Sequence, residues 1–301
     1  MNIVVLGPGA IGSLWACYLK HAGHNVSCWS HTHSSERDYL LTSTTGSTIS
    51  RSTFVSNHID SLRHADVIFV ATKAHQVATA ILPLIQHIDS DTILLFMHNG
   101  MGTLDELLVT LSAYPILRAS TSHAALKHNP CHVQHTGLGK TDLGGLNPKG
   151  QACQFMAEVL SHALPDVNWH STLEWPLWRK VAINCVINPL TAIDNIKNGA
   201  LLGHAYTDHI HAIVREIVTV MQASGLSITQ DSLLDDVYAV LHQTAHNYSS
   251  MHQDISHQRT SEIDFINGYV VNQAQQHAIS TPYNIHLWQT IKQLEHRWSH
   301  L

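Results

Sequence analysis

A lysine and two asparagines at helical spacing form the most chemically suggestive pattern in the sequence. Lys180, Asn184 and Asn188 recur every four residues within segment 177–193, whose remaining positions are nearly all apolar. At about 100° per residue they share one narrow stripe of a helix. An ammonium group can donate hydrogen bonds and a proton, and amides bind polar atoms without adding charge. The stripe predicts a cleft for a polar substrate, although asparagines bonded to backbone and a lysine reaching solvent would give the same pattern.

Hydroxyl, amide and carboxylate side chains form a second cluster further along the chain. Ser250 and Gln253 have the spacing of a capping box, so a structural capping role competes with a binding role for Ser250. The two roles are compatible, because backbone N–H groups at a helix start can also bind a carboxylate. Glu262 lies twelve residues on, rotated by about 120°, and can border the same surface only if that face is broad.

The amino-terminal residues contain a glycine-rich turn of the kind that holds phosphate. A short apolar run, Asn2–Leu6, leads into a GxGxxG turn and then a helix-like segment that ends before Gly23. In this context the glycines permit a tight turn, backbone approach to a pyrophosphate, and close packing of helix on strand. A glycine turn without a ligand is the alternative. The predicted phosphate-binding residues are Gly7, Pro8, Gly9, Ala10, Ile11 and Gly12.

The segment after the next strand indicates which dinucleotide would bind. An NAD site usually has a carboxylate here for the ribose 2′-hydroxyl, whereas a 2′-phosphate requires donors and positive charge. Residues 30–35 are histidines and hydroxyl side chains, with no carboxylate before Glu36. We therefore expect NADPH, with His31, its hydroxyl neighbours and Arg37 around the phosphate. A polar surface loop is the alternative for any one of these residues.

Two further polar residues follow predicted strands, where ligands of a parallel sheet bind. Lys73 could meet a cofactor phosphate or a substrate carboxylate, and Asn99 could orient the substrate or the nicotinamide. Because Asn99 precedes a glycine, a simple turn is the alternative for that position.

The elements that must position these residues alternate between strands and helices in the first half. Strands are predicted at residues 2–6, 25–29, 66–72 and 92–97, with a helix around 76–85. This alternation predicts a parallel, doubly wound sheet in a Rossmann-type α/β domain. A loop at 147–150, a helix to Leu164 and a short strand through Trp169 follow, and we expect the domain boundary near residues 168–172.

The second half has long apolar periodic segments and few strand signals, which predicts an all-α substrate-binding domain. We accordingly divide the chain into residues 1–170 and residues 171–301. Because Pro189 has no N–H and disfavours helical geometry at the preceding residue, the helix that carries the polar stripe is expected to kink or stop there.

Composition argues against several classes of protein. Sixteen basic residues against 22 acidic ones, without a basic run, argue against nucleic-acid binding. Without an uncharged apolar run of about 18 residues or a signal-peptide pattern after Met1, we expect neither a membrane span nor secretion. Five cysteines without CxxC spacing predict reduced, packed thiols and a cytoplasmic location. The 26 histidines are scattered without zinc-site spacing, so we expect no metal site and a surface whose charge changes near pH ~6.5.

Taken together, six segments resemble the ketopantoate reductase family. They are GPGAIG at the glycine turn, ATKAHQV around Lys73, HNGMGT around Asn99, LWRKVAINCVINPLTAI around Lys180, SSMHQDI around Ser250 and RTSEIDFINGY around Glu262. Their joint occurrence, in order and nearly end to end, is far more specific than any one of them.

The resemblance implies an NADPH-dependent reduction of 2-dehydropantoate to pantoate in pantothenate synthesis. It implies that Lys180 is the general acid, and that Glu262 contacts the substrate hydroxyl and supports Lys180. The other roles that it implies are substrate ligands at Asn184, Asn188, Asn198 and Ser250, and cofactor contacts at Lys73 and Asn99.

One position departs from the family pattern. His31 stands where the family commonly has an arginine for the 2′-phosphate, and a neutral histidine binds phosphate less well than a guanidinium. The preference for NADPH is therefore expected to be weaker and more pH-dependent. Alternatives are a reductase of another 2-keto or 3-hydroxy acid and a non-catalytic dinucleotide sensor. An exposed apolar helix face in the second domain would favour a homodimer.

Overall fold

The chain forms two compact units in a computed structural model that describes residues 1–32 and 34–298. His33, which belongs to the predicted 2′-phosphate segment, and residues 299–301 lie outside this description. The first unit comprises Met1–His98 and Thr103–Leu173, and the second comprises Asn99–Gly102 and Glu174–Leu301. The second unit is thus discontinuous in sequence, because four residues from the first half belong to it.

Eleven strands of the described chain form two sheets in the first unit. A seven-stranded sheet has the order β11-β10-β7-β6-β5-β1-β2, and a four-stranded sheet has the order β4-β3-β9-β8. The strands are β1 (Asn2–Leu6), β2 (Asn25–Trp29), β3 (Glu36–Thr42), β4 (Thr48–Val55), β5 (Val67–Val70), β6 (Ile93–Met97), β7 (Ile116–Thr121), β8 (Ala124–Asn129), β9 (His132–Gly137), β10 (Thr141–Gly145) and β11 (Val167–Trp169).

The larger sheet confirms the predicted Rossmann-type architecture. Strands β2, β1, β5, β6 and β7 are parallel, and β10 then pairs with β7 in the antiparallel direction. In this register Leu6 lies beside both Trp29 and Val70, so the carboxyl ends of the strands meet at one edge. The strand order reverses at β1, which is where ligands bind in such sheets.

The helices of the first unit correct two sequence expectations. Residues 147–150, predicted as a loop, begin a capped helical turn: Asn147 accepts a hydrogen bond from the Gly150 N–H (2.8 Å). The single helix expected around 76–85 is instead one α-helical turn flanked by 3₁₀ turns at Ala74–Gln76 and Leu82–His87. The α-helices are α1 (Ala10–His21), α2 (Ile59–Arg63), α3 (Val77–Ile81), α4 (Leu107–Thr110), α5 (Pro148–Gln151) and α6 (Met156–Ala163).

From Glu174 onward the described part of the second unit consists of helices and turns without a strand, as predicted. Its helices are α7 (Glu174–Asp194), α8 (Thr207–Ala223), α9 (Gln230–Gln243), α10 (Ser250–Ser256), α11 (Asn267–Gln276) and α12 (Pro282–His296), with 3₁₀ turns at Asn198–Leu202, His204–Tyr206 and Ile263–Phe265. Their apolar faces surround α7, whose residues from Val181 to Ala192 are nearly all buried. A helix this apolar is expected at the centre of its unit.

We expected the helix to kink or stop at Pro189, and it does not stop there, because α7 continues to Asp194. Proline cannot donate to the carbonyl four residues back, which is that of Cys185. The buried Asn267 amide donates to that carbonyl oxygen instead (3.1 Å). A side chain from α11 thus provides the hydrogen bond that the proline removes.

Several histidines lie inside the protein and so do not contribute to the predicted change of surface charge. His98, His123, His135 and His252 are all buried.

Four of the cysteines are buried as free thiols, and Cys131 is exposed. Among the described residues, no helix combines the length and the apolar character needed to cross a membrane.

Candidate functional site

The glycine turn of the first unit has the geometry that its sequence predicts. A Cβ at Gly7 would lie 2.4 Å from the Thr72 methyl carbon, and Gly7 has a left-handed φ of 82°. A Cβ at Gly12 would lie 2.4 Å from the Gly7 carbonyl oxygen. In contrast, a Cβ at the exposed Gly9 would meet nothing within 4 Å. Packing therefore requires the first and third glycines, while the second leaves the backbone open to a ligand.

The backbone around this opening is suited to an anion. Helix α1 begins at Ala10 with no acidic residue in its first turn, so its free N–H groups and the positive end of its dipole are not neutralised there. Pro8 fixes the turn, because its carbonyl accepts from Ser13 Oγ (2.9 Å) and Lys127 Nζ (3.0 Å). The buried Thr72 hydroxyl has no hydrogen-bond partner among the described residues. A dinucleotide phosphate fits these groups.

The segment after β2 is held by Asn57, a residue that no sequence pattern singled out. Asn57 has a left-handed φ of 58°. Its side-chain oxygen accepts from the Ser30 N–H (2.9 Å), and its amide donates to the carbonyls of Thr32 (2.6 Å) and Ser34 (3.1 Å). His31 is exposed in the bend that follows β2. Three described residues of the predicted 2′-phosphate segment, Ser30, Thr32 and Ser34, are therefore held by this one side chain.

Lys73 and Asn99 belong to different units. Lys73 is half-buried and immediately precedes a 3₁₀ turn after β5, on the same sheet edge as the glycine turn. Asn99 follows β6 but is assigned to the second unit. Its side-chain amide donates to Glu262 Oε2 (2.9 Å). The structure thus joins Asn99 to the residue expected to support catalysis, and a simple turn role does not describe it.

Glycine makes the approach of Asn99 to Glu262 possible. A Cβ at Gly100, where φ is 77°, would lie 2.4 Å from the carbonyl oxygen of Phe265. That same oxygen accepts the Met101 N–H (2.9 Å). The segment Asn99–Gly102 is therefore packed against the turn that carries Glu262, and any larger residue at position 100 would push it away.

The turn that carries Glu262 is braced from α12. Ser261 donates through its N–H (2.7 Å) and its hydroxyl (2.6 Å) to one oxygen of the buried Glu295 carboxylate. Lys292 forms ion pairs with Glu295 (3.3 Å) and with Asp264 (2.9 Å). Glu262 itself is only 8% exposed. The carboxylate is thus held in a fixed, largely dry position.

The polar stripe lies on α7 as the spacing predicted. Lys180 and Asn184 are half-buried, and Asn188 is buried at 5% exposure. The neighbouring Arg179 forms a bidentate ion pair with Asp236 of α9, with distances of 2.6 Å from Nε to Oδ2 and 2.5 Å from Nη2 to Oδ1. This pair fixes the rotation of this part of α7. The helix therefore presents these polar groups in a defined orientation.

Asn198 and Ser250 lie at the starts of helical segments. Asn198 is 6% exposed, and its amide donates to the Thr244 hydroxyl (2.9 Å). Its side-chain oxygen has no donor among residues 1–32 and 34–298. Ser250 is the first residue of α10 and is exposed, but it is not the cap. The capping residue is Ser249, whose hydroxyl accepts from the His252 N–H (3.0 Å), so the cap lies one residue before the predicted Ser250.

Models of two protein families match consecutive parts of the chain. The model described as "Ketopantoate reductase PanE/ApbA" matches residues 3–148, and "Ketopantoate reductase PanE/ApbA C terminal" matches residues 172–295. A 2-dehydropantoate 2-reductase of Vibrio cholerae is 48% identical over 299 residues, covering 99% of each chain. One of Escherichia coli O157:H7 is 37% identical, covering 100% of this chain and 97% of its own.

Solved structures share the fold at low sequence identity. A PanE/ApbA family ketopantoate reductase from Ralstonia eutropha superposes with a TM-score of 0.89 at 22% identity, covering all of both chains. A D-mandelate dehydrogenase in complex with NADH and anilino(oxo)acetate superposes with a TM-score of 0.86 at 23% identity, covering 99% of each. The two-unit architecture is thus common to enzymes with different names.

Proposed function

This chain belongs to the ketopantoate reductase family and is an oxidoreductase, and we propose that it reduces 2-dehydropantoate to pantoate with NADPH. The observation that carries the proposal is the end-to-end relationship at 48% identity to a 2-dehydropantoate 2-reductase. We place the reaction in pantothenate and coenzyme A synthesis in the cytoplasm. We also propose that the protein is a homodimer, and light scattering of the purified protein tests this. The remaining argument concerns which residues perform the chemistry.

The glycine turn supports a nicotinamide dinucleotide as the cofactor. Three features favour a phosphate-bearing ligand: the open backbone at Gly9, the start of α1 without an acidic residue, and the Thr72 hydroxyl, which has no partner in the part of the chain that the structure describes. We propose that residues 7–12 hold the pyrophosphate, that His31 lies near the adenosine ribose, and that Lys73 contacts the cofactor. When bound, the dinucleotide supplies the hydride that the ketone carbon receives.

We assign proton donation to Lys180. Negative charge develops on the ketone oxygen as its carbon is reduced, and a protonated amine next to that oxygen stabilises the charge and then transfers a proton. Arg179 anchors α7 through Asp236, and so limits rotation of the helix that presents the amine. Lys180 is half-buried, which reduces competition from water at this position.

Glu262 has the supporting role in this proposal. Its carboxylate accepts the Asn99 amide, and its turn is braced by Glu295. A fixed carboxylate can accept a hydrogen bond from the substrate hydroxyl and favour the protonated form of a nearby amine. Asn99 thus acts by orienting Glu262, in addition to the cofactor contact that the family resemblance implies.

In this proposal, asparagine amides and one serine hydroxyl bind the polar groups at the ends of the substrate. Asn184 and Asn188 lie along the stripe with Lys180, and Asn198 has a buried carbonyl oxygen available to accept a hydrogen bond. Ser250 is exposed at the start of α10, where its hydroxyl and the first N–H groups of the helix can receive a carboxylate. Neutral donors of this kind bind a small keto acid without adding net charge.

A spectrophotometric assay tests the proposal. We expect NADPH absorbance to fall when 2-dehydropantoate is added to the purified protein, with slower consumption of NADH. Pyruvate, 2-oxoisovalerate and benzoylformate serve as comparison substrates. Faster turnover of one of these would reassign the substrate, and nucleotide binding without turnover of any keto acid would show a non-catalytic sensor.

A further inference from the structure

The loop after β2 lacks the guanidinium that the family commonly uses for a 2′-phosphate, but a guanidinium reaches it from another sheet. Arg37 lies on β3, in the four-stranded sheet. Its Nη2 donates to Ser30 Oγ (2.5 Å) and to Thr32 Oγ1, and its Nε donates to Ser56 Oγ (3.3 Å). An arginine side chain therefore contacts residues on both sides of His31.

A second cation approaches the same region from β8. Lys127 donates to the Pro8 carbonyl of the glycine turn and lies over the Tyr39 ring, with 5.0 Å between Nζ and the ring centroid. Burial lowers the pKa of Lys127, and the nearby Arg37 guanidinium lowers it further. The two positive charges thus repel each other through a partly dry region, and an anion bound beside them would relieve that repulsion.

Neither cation is neutralised within the unit. In the described residues, Arg37 and Lys127 bond to hydroxyls, a backbone carbonyl and an aromatic ring, and no carboxylate lies within ion-pair distance of either. Hydroxyl partners do not neutralise the positive charge of Arg37, and hydroxyls can themselves donate hydrogen bonds to a phosphate.

We infer that Arg37 and Lys127 select the 2′-phosphorylated dinucleotide, taking the role of the arginine that His31 replaces. This inference rests on the proposed function, and it deepens the cofactor assignment. Arg37 makes the direct phosphate contact together with Ser30 and Thr32, while Lys127 raises the local positive potential and holds the glycine turn. Asn57 is a positioning residue, because it fixes the loop that carries both hydroxyls.

The phosphate contact can be tested by binding alone, because two nucleotides that differ only in the 2′-phosphate can be compared without measuring catalysis. Adenosine 2′,5′-bisphosphate and adenosine 5′-monophosphate are titrated into the full-length protein by isothermal calorimetry. The wild type is expected to bind the bisphosphate more tightly. Arg37→Gln should lower that preference by about tenfold or more, as expected for loss of a hydrogen bond between charged groups. Lys127→Gln should lower it by a smaller factor, and Arg37→Lys should retain part of it.

Arg51→Gln is the matched control, because it removes an exposed arginine from the adjacent strand β4 and changes net charge equally. It should leave the preference unchanged. A wild type that binds both nucleotides equally would overturn the inference, as would an unchanged preference in both Arg37→Gln and Lys127→Gln. An equal loss of affinity for both nucleotides would show a loop-stabilising role instead. Ketopantoate turnover is measured separately, so failure here leaves the proposed reaction standing.

Discussion

At the scale of single residues, the two groups expected to perform the chemistry differ in how they are held. Glu262 is fixed by the Asn99 amide and by the braced turn around it. Lys180 depends on the orientation of α7, which Arg179 anchors to Asp236. A misplacement of about 1 Å at such a site can lower a rate about a hundredfold, so these second partners matter as much as the reacting groups.

Removal of the Lys180 amine tests the assigned proton donor. Lys180→Ala is expected to lower kcat by about 10²- to 10⁴-fold, because general acid catalysis contributes about that factor. Steady-state kinetics with 2-dehydropantoate measures the change, and calorimetry should show NADPH affinity close to that of the wild type. The exposed Lys140 provides a matched control, since Lys140→Ala should leave kcat unchanged. Turnover near the wild-type rate in Lys180→Ala would remove Lys180 from the mechanism.

Glu295 is expected to act on catalysis through the Ser261 turn. Glu295→Ala should lower kcat more than it raises KM, because Ser261 loses the acceptor of both its hydrogen bonds and Glu262 loses its fixed position. Glu295→Gln keeps a side-chain oxygen and should restore most of the rate. Equal kcat losses in the two variants, at a temperature where both are folded, would contradict a positioning role that needs only an acceptor.

At the scale of elements, α7 depends on a hydrogen bond from a distant part of the chain. The Asn267 amide donates to the Cys185 carbonyl, which Pro189 leaves without its helical partner, and also to the Asn284 side chain (3.0 Å). The polar stripe of α7 therefore keeps one continuous helical register through the proline. Loss of the Asn267 amide is expected to weaken that part of the helix.

Urea unfolding of Asn267→Ala tests this role. The free energy of unfolding is expected to fall by about 1–3 kcal/mol, because a buried carbonyl is left without a donor. Asn272→Ala is the matched control, since Asn272 is exposed on the same helix and should change stability little. Equal stability of the two variants would show that the carbonyl finds another partner.

The elements that the sequence predicts best are those with a local cause. Strands β1, β5 and β6 are buried on both faces and read as continuous apolar runs, so their existence follows from the sequence. The four-stranded sheet was missed, because β4 and β8 carry mostly polar, partly exposed residues. Its strands are specified by pairing between distant segments, such as Leu40 beside His132, which no local pattern reveals.

The same distinction applies to the candidate site. The spacing of Lys180, Asn184 and Asn188 predicts their shared helix because the cause is local periodicity. The Asn99 contact with Glu262 joins residues 163 positions apart, and Arg37 reaches the β2 loop from another sheet. Contacts of this kind form only when the folded backbone brings distant residues together. Sequence patterns therefore identified candidate residues but could not predict which residues they contact.

At the scale of the whole molecule, buried neutral histidines connect stability to pH. Tyr18 contacts His135 Nδ1 (2.9 Å), and His135 Nε2 contacts His123 Nδ1 (3.2 Å), so the pair joins α1 to the second sheet. Burial lowers the pKa of His123 from 6.5 to about 4, and His135 adds to this effect. Burial also lowers the pKa of His135. Both rings are therefore neutral at pH 7 in the folded protein.

The sign of the pH dependence follows from proton binding. Between pH 6.5 and about 4 the unfolded chain binds a proton at His123 that the folded chain does not, so stability is greatest above pH 6.5 and falls as the pH falls through this window. Urea unfolding at pH 7.5 and pH 5 should show a larger loss for the wild type than for His123→Gln. His209→Gln, at an exposed histidine, should behave as the wild type does. A loss in His123→Gln equal to that of the wild type would contradict this assignment.

The segment Asn99–Gly102 has a consequence for any attempt to dissect the protein. A fragment starting at Glu174 would contain every helix from α7 to α12 but would omit the four residues that pack against the Phe265 turn. Its Phe265 carbonyl would lose the Met101 N–H, and Glu262 would lose the Asn99 amide. We therefore expect the isolated helical half to be less stable than the same residues in the whole chain, and a linker that reproduces the tetrapeptide to restore these contacts.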